Sequence, residues 1–127
     1  MDDETPFIRR TYPANRTVFD EGAAADTVYV LSSGAVEIRV GTLSDNPRTL
    51  TVVKVGDVFG EMALLQGRRH QAAAVTLEES EVLEVPREEF IDRLNAADPV
   101  MRAVVNHLVS RLSEMTVDFK TRVTPFY

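Results

Sequence analysis

From residue 17 to residue 85 the apolar residues come mostly in short runs of four to eight, broken by Gly, Asn, Asp and Ser. Runs of that length between turn formers predict a many-stranded β-body. Over 35–40 the alternation is strict: Val36, Ile38 and Val40 fall on one face, Glu37 and Arg39 on the other, toward water. A strand at 27–31 precedes it, and Ser32-Ser33-Gly34 between them has the composition of a hairpin turn. The stretch 41–48, with Asp45-Asn46-Pro47, reads as a longer loop before a strand at 50–55. Two more strands are expected at 72–77 and 82–85, joined by the polar Glu78-Glu79-Ser80 turn.

Beyond residue 85 the pattern becomes helical. Pro86 followed by Arg87-Glu88-Glu89-Phe90-Ile91 opens a short helix, with proline at its start and carboxylates where the helix dipole favours them. Asp98-Pro99 is an N-cap followed by proline at the first helical position, the start of a final long helix. On it Met101, Val105, Leu108, Leu112, Met115 and Phe119 recur at spacings of 4, 3, 4, 3 and 4, one apolar seam in heptad register. Such a stripe packs either on the β-body or against a second copy, and a helix can do both on different faces. The seam is shorter than the three to four heptads that define a coiled coil.

A length of 127 residues fits one domain spanning 1–127, with no linker, low-complexity segment or internal repeat. No apolar run is long enough to span a bilayer. Met1-Asp2-Asp3-Glu4 is acidic where a secretory leader is basic and then apolar. Cysteine is absent, which removes disulfides, thiolate metal sites and a thiol nucleophile, and agrees with a reducing, cytoplasmic setting. The formal net charge of -6 disfavours nucleic acid as a partner. It leaves room for a small anion, because local backbone N–H groups can outweigh the global charge.

The stretch from Gly56 to Leu65, GDVFGEMALL, carries the chemistry. It is too short and too glycine-punctuated to be another strand. Gly60 permits a tight turn, and Glu61 to Leu65 are good helix formers, so one helical turn is expected there. The start of such a turn exposes unpaired N–H groups to an anion. Glu61 can accept hydrogen bonds from ribose hydroxyls, or simply stabilise the helix dipole; the residues alone leave both roles open.

Phe59-Gly60-Glu61-Met62-Ala63-Leu64-Leu65, followed after a short tip by Ala72-Ala73-Ala74-Val75, resembles the phosphate-binding cassette of cyclic-nucleotide-binding domains. These domains occur in catabolite-activator-like regulators, protein kinase A regulatory subunits and nucleotide-gated channels. Phe19-Asp20-Glu21-Gly22, the run from Tyr29 to Val36, and Gly56-Asp57 match the same framework, so the resemblance covers about 12–119. It implies a mainly β fold with C-terminal helices: a jelly-roll-like β-roll, or double-stranded β-helix, over about 12–86, with a short cassette helix. Helices at about 87–121 follow, the last of them long.

Carried over position by position, the resemblance makes Gly60 the cassette glycine and Glu61 the acceptor of the ribose 2′-hydroxyl. The N–H groups of Met62 and Ala63 become phosphate donors, and Ala72, with Ala73 beside it, the small residue whose N–H meets the phosphate. No hydroxyl exists over 72–74 to assist. The family's phosphate arginine, four residues before the position of Val75, is here Gln71. Arg68, Arg69 and His70 lie nearby: a re-routed tip would bring Arg69 to the phosphate, whereas otherwise both arginines are solvated loop-tip residues. A charged hydrogen bond contributes about 1.5–3 kcal/mol, so losing the arginine weakens binding by about 10- to 150-fold. Weak binding of cAMP or cGMP, or none, is the expectation. The family's lid helix maps onto Leu112, Met115 and Phe119, with Leu108 in the same seam; nothing there distinguishes cAMP from cGMP. His70 and His107 read as surface residues, not metal ligands.

The expected function is that of a non-catalytic cyclic-nucleotide sensor or regulatory module in signal transduction, a homodimer through the terminal helix, acting on an unknown protein partner. The first alternative is a degenerate β-roll that mediates dimerisation or protein interaction without nucleotide. A metal-dependent barrel enzyme of the cupin type needs clustered His and carboxylate ligands, and this chain has two histidines, neither in a His-x-His arrangement. A transcription regulator would need its DNA-binding part on another chain, since the sequence stops at Tyr127.

Overall fold

The computed structural model describes residues 7–120, with side chains described through residue 111. In chain order the elements are β1 (Ile8–Tyr12), β2 (Thr17–Phe19), β3 (Thr27–Ser33), β4 (Val36–Val40), β5 (Arg48–Val53), β6 (Val58–Phe59), α1 (Glu61–Gln66), β7 (Ala73–Thr76), β8 (Ser80–Pro86), α2 (Arg87–Asn95) and α3 (Pro99–Lys120). The strands form two antiparallel four-stranded sheets, ordered β1-β8-β3-β6 and β2-β7-β4-β5.

The turn at 32–34 does not make a hairpin. β3 belongs to one sheet and β4 to the other, so the chain changes sheet there. The same happens between β7 and β8. β3 pairs with β8 from Thr27↔Pro86 to Ser33↔Glu81, while β4 pairs with β7 from Val36↔Thr76 to Arg39↔Ala73. Two ribbons, β3–β4 and β7–β8, thus run antiparallel through both sheets, and that is the double-stranded β-helix. Their corners meet at Gly34 (φ 95°), where a Cβ would lie 2.2 Å from Ser80 Oγ and 2.6 Å from the Glu79 carbonyl. The Ser80 hydroxyl joins the corners, accepting from the Ala35 N–H at 3.2 Å and donating to the Glu78 carbonyl at 2.8 Å. A serine- and glycine-rich segment serves a crossing as well as a hairpin; the long-range partner decides.

The alternation over 35–40 places Val36, Ile38 and Val40 in the core. Glu37 and Arg39 on the opposite face pair with each other instead of standing free in water. Phe19, Leu31, Val53, Phe59, Ala72, Ala74 and Val82 complete the interior. Each fully buried aliphatic or aromatic side chain contributes about 1.5–3 kcal/mol. At the centre Phe19, Tyr29 and Phe59 form an aromatic cluster with ring centroids 5.2–6.1 Å apart.

Several boundaries differ from expectation: β5 runs Arg48–Val53 where 50–55 is expected, and Ser80 opens β8 instead of closing the turn before it. The roll begins at Ile8, because β1 pairs along β8 from Ile8↔Glu84 to Tyr12↔Ser80. Val58-Phe59 is a strand after all, pairing with Tyr29 and Val30 and so delivering the chain from the sheet directly to Gly60. The helical signals hold: Pro86 precedes α2, and the Asp98 carboxylate caps α3 by accepting from the N–H groups of Val100 (2.8 Å) and Met101 (3.4 Å).

Candidate functional site

The site is built on β6, α1 and the loop that returns to β7. Gly60 stands at the N-cap of α1 with φ 78° and ψ 0°, a left-handed conformation. A Cβ on it would lie 2.8 Å from Tyr29 Cδ1 and 3.3 Å from Phe19 Cε2. Backbone conformation and space therefore demand glycine independently, and the aromatic cluster beneath fixes where the turn stands. Lacking a side chain, Gly60 offers no cap, so the Met62 and Ala63 N–H groups in the first turn of α1 have neither an intrahelical acceptor nor a side-chain one. Met62, Ala63 and Leu64 bury their side chains, holding the turn against the roll.

Glu61, the first residue of α1, is half-buried, and its Oε1 is enclosed without a hydrogen-bond partner. Burial pushes its carboxyl pKa up from the ordinary value, against a smaller lowering by its own backbone N–H. A carboxylate placed so is an acceptor waiting for donors. Gln71, in the return loop, is likewise half-buried with an enclosed and unpartnered Oε1. A half-turn of that amide presents its NH2 group instead, the face a phosphate requires. Ala72, Ala73 and Ala74 are all buried, so their contribution to a ligand is confined to backbone.

α1 ends at Gly67 in a left-handed C-cap, with the Gly67 N–H on the Leu64 carbonyl and the Arg68 N–H on the Ala63 carbonyl. His70 is not a surface residue. It is 4% exposed, its ring stacks on Phe19 at 3.8 Å and 13°, and its backbone exchanges hydrogen bonds with Gly22 (2.8 Å) and Ala23 (3.0 Å). Burial holds its imidazole below the usual value, with a smaller push from the Arg68 guanidinium and an opposing pull from Asp26. Nothing in the loop composition signals this, because a lone histidine between Arg69 and Gln71 has no periodic neighbours. His107, by contrast, is exposed.

Anchoring His70 sets the arginines. Arg69 is exposed and its Nη1 donates to the Gly22 carbonyl at 3.0 Å, which ties it to the loop after β2. Arg68 is half-buried, with Nε on Gln66 Oε1, Nη1 on the Arg69 carbonyl at 3.2 Å, and Nη2 enclosed without a partner. Of the lid and seam residues, Met101 and Leu108 are 58% and 52% exposed, as are their neighbours Val100 and Val104 at 69% and 47%. Packing on the chain's own β-body is therefore not what covers this end of the seam. Leu112, Met115 and Phe119 lie outside the described side chains.

A second group of polar residues, which no sequence pattern signalled, gathers beside Tyr29. A depression of about 540 Å³ is lined by Arg10, Thr11, Tyr12, Val18, Tyr29 and Glu84. The Tyr12 hydroxyl donates to the Glu84 carboxylate, whose other oxygen takes Arg10 Nε at 3.0 Å. Burial pushes the Tyr29 phenol up to about 12. Among the described residues no cluster of three or more His, Cys, Asp or Glu side chains is placed to hold a metal, and no helix is long and apolar enough to cross a membrane.

A family model described as "Cyclic nucleotide-binding domain" matches residues 9–96. The chain is similar to the cyclic AMP receptor protein of Thermus thermophilus, 31% identical over 112 residues, covering 88% of this chain and 52% of that protein. It is similar to a cAMP-dependent protein kinase regulatory subunit of Aspergillus fumigatus, 33% identical over 91 residues, covering 72% of this chain and 21% of that one. Among solved structures, the catabolite activator protein of Thermus thermophilus superposes with a TM-score of 0.72 at 30% identity, over 91% of this chain and 54% of the other. The chain thus spans about half the length of the receptor protein and about a fifth of the kinase subunit.

Proposed function

The chain belongs to the cyclic nucleotide-binding domain family, and on that premise we propose that it is a regulatory module that binds a cyclic nucleotide, cAMP or cGMP, at the first turn of α1. The observation that carries the reading is the Oε1 of Glu61, enclosed without a donor beside an uncapped helical turn. An unsatisfied buried acceptor costs about 1–3 kcal/mol, and a ribose hydroxyl relieves that cost. The cyclic phosphate then lies on the N–H groups of Met62 and Ala63, closed on its other side by the backbone of Ala72 and Ala73 and by the Gln71 amide. That two relatives carry cAMP in their names agrees with this ligand class.

Affinity is weak in this reading. Gln71 donates one neutral hydrogen bond where the family pattern has an arginine, and Arg69 is engaged with Gly22. The module works by binding and not by catalysis, in a cytoplasmic setting, and passes its signal to a partner protein. Dimerisation runs through α3, where Val100, Met101, Val104 and Leu108 leave an apolar face open. The same Gln71 and Arg69 observations favour one rival: a β-roll that has lost its ligand and acts through α3 alone.

Calorimetric titration of the chain with cAMP and with cGMP separates the two. Saturable heats in the micromolar to millimolar range support the proposal. Absence of heat with both nucleotides, together with a stable dimer, leaves the rival.

A further inference from the structure

At the C-terminal end of α1, away from Gly60, a depression of about 300 Å³ is lined by Ala24, Ala25, Gly67, Arg68, Arg69 and Arg87. Three guanidinium-bearing residues from separate parts of the fold, the loop after α1 and the first residue of α2, meet there on a chain whose net charge is -6. No carboxylate is among the lining residues. Two acidic residues adjoin the lining in sequence, and neither is ion-paired with these arginines among the described residues: Glu88, exposed in the first turn of α2, and Asp26, which accepts from the Thr27 hydroxyl through its side chain and from the Arg87 N–H through its main-chain carbonyl. Arg68 Nη2 is enclosed and donates to nothing, and burial draws its guanidinium down from the ordinary arginine value with no anion to offset it. The Arg87 side chain has no ion pair or hydrogen bond among the described residues. Like charges gathered without a counter-charge destabilise one another, and an oxyanion reverses the sign of that interaction.

We propose that Arg68, Arg69 and Arg87 form a second anion site, which takes a phosphate-type oxyanion and is separate from the turn at Gly60. The remaining walls, Ala24, Ala25 and Gly67, present methyl and backbone surface only, with no aromatic face for a base to stack on. The site therefore reads the phosphate group and not the molecule that carries it. Arginine suits this task, since its planar fork matches phosphate oxygens in pairs. The three residues also join the return loop of the cassette to the start of α2. An anion held between them fastens α2, and through it α3, to the loop that carries Gln71. The inference stands on different residues from the nucleotide reading and does not depend on it.

The test is a titration of the full chain, labelled with 15N, with pyrophosphate at constant ionic strength, following the amides of Ala24, Ala25 and Gly67. The expected result is saturable shifts at these amides, with affinity about tenfold weaker in Arg87→Gln, the loss of one charge-assisted hydrogen bond. Arg87 is exposed, so this variant should keep its fold, which an unchanged dichroism spectrum would verify. Arg69→Gln gives a second, independent loss. Adenosine triphosphate, the other source of the same group, should bind these amides as tightly as pyrophosphate does. Shifts confined to 60–63, shifts that Arg87→Gln leaves unaltered, or a strong preference for the nucleoside triphosphate overturn the proposal. Each of those outcomes leaves cAMP binding at Gly60 to be judged on its own amides.

Discussion

Replacing Gln71 by arginine restores the group whose absence governs the predicted affinity. Gln71 is half-buried, and its Oε1 is enclosed with no donor, so the present amide gains nothing from its carbonyl side. Toward a phosphate its NH2 offers one neutral hydrogen bond, about 0.5–1.5 kcal/mol, where an arginine offers a charged one, about 1.5–3 kcal/mol. The difference, about 1–1.5 kcal/mol, corresponds to about a five- to twelvefold gain in affinity. This gain is smaller than the family's full arginine effect because the wild-type amide already supplies part of it. The assay is calorimetry with cAMP and cGMP on the wild-type chain and on Gln71→Arg at matched salt. The gain should shrink as salt rises, since the added contribution is ionic. Equal affinities in a folded Gln71→Arg variant would refute the reasoning. So would sub-micromolar binding by the wild type, which would mean that the missing arginine limits nothing.

Glu61→Gln separates stability from binding. Burial raises the native carboxyl above its ordinary value of 4.5, so the native state holds its proton more tightly than the unfolded state does. The stabilisation associated with that proton is complete below 4.5 and is lost as pH rises through the native value. At pH 7 the variant should be more stable than the wild type by about 1 kcal/mol, a difference that closes in acid, while nucleotide binding weakens. Denaturant melts across the pH range check this, and a Glu61→Gln protein less stable at pH 7 contradicts it. Gly60→Ala must place a Cβ 2.8 Å from the Tyr29 ring at φ 78°, and the strain and clash together should cost about 2–4 kcal/mol by the same melts; a loss under half of that argues against the packing described. Leu108→Glu puts a charge on the open face of α3 and should shift the sedimentation mass to that of a monomer, whereas an unchanged mass counts against dimerisation through this helix.

Local signals in the sequence located most of the elements, though not β1, β2 or β6. Proline and aspartate marked the helix starts, strict alternation marked β4, and the glycine-punctuated run at 56–65 marked the cassette. What they did not give was which strand pairs with which. Ser32-Ser33-Gly34 has hairpin composition, yet β3 leaves it to pair with β8, because the crossing is decided by a contact with Ser80 far along the chain. The candidate site divides in the same way. Gly60 and Glu61 were legible, since each has a backbone or charge role that its own residue type declares. The burial of His70 was not, because it depends on Phe19 arriving from β2 to receive the ring. With His70 anchored, Arg69 falls to Gly22 and Gln71 turns inward, a tertiary outcome that no window of sequence contains. Arg87 belongs to the same class, as a residue at a helix start that acquires company from a loop many residues away.

The central claim is that the amides opening α1, with Glu61 beside them, receive the phosphate and ribose of a cyclic nucleotide. Site-resolved 15N spectra of the chain titrated with cAMP address it directly. The expected result is saturable shifts concentrated at the amides of residues 60–63 and 71–73. Spectra that stay unchanged there up to millimolar cAMP, or that move only elsewhere, would contradict it.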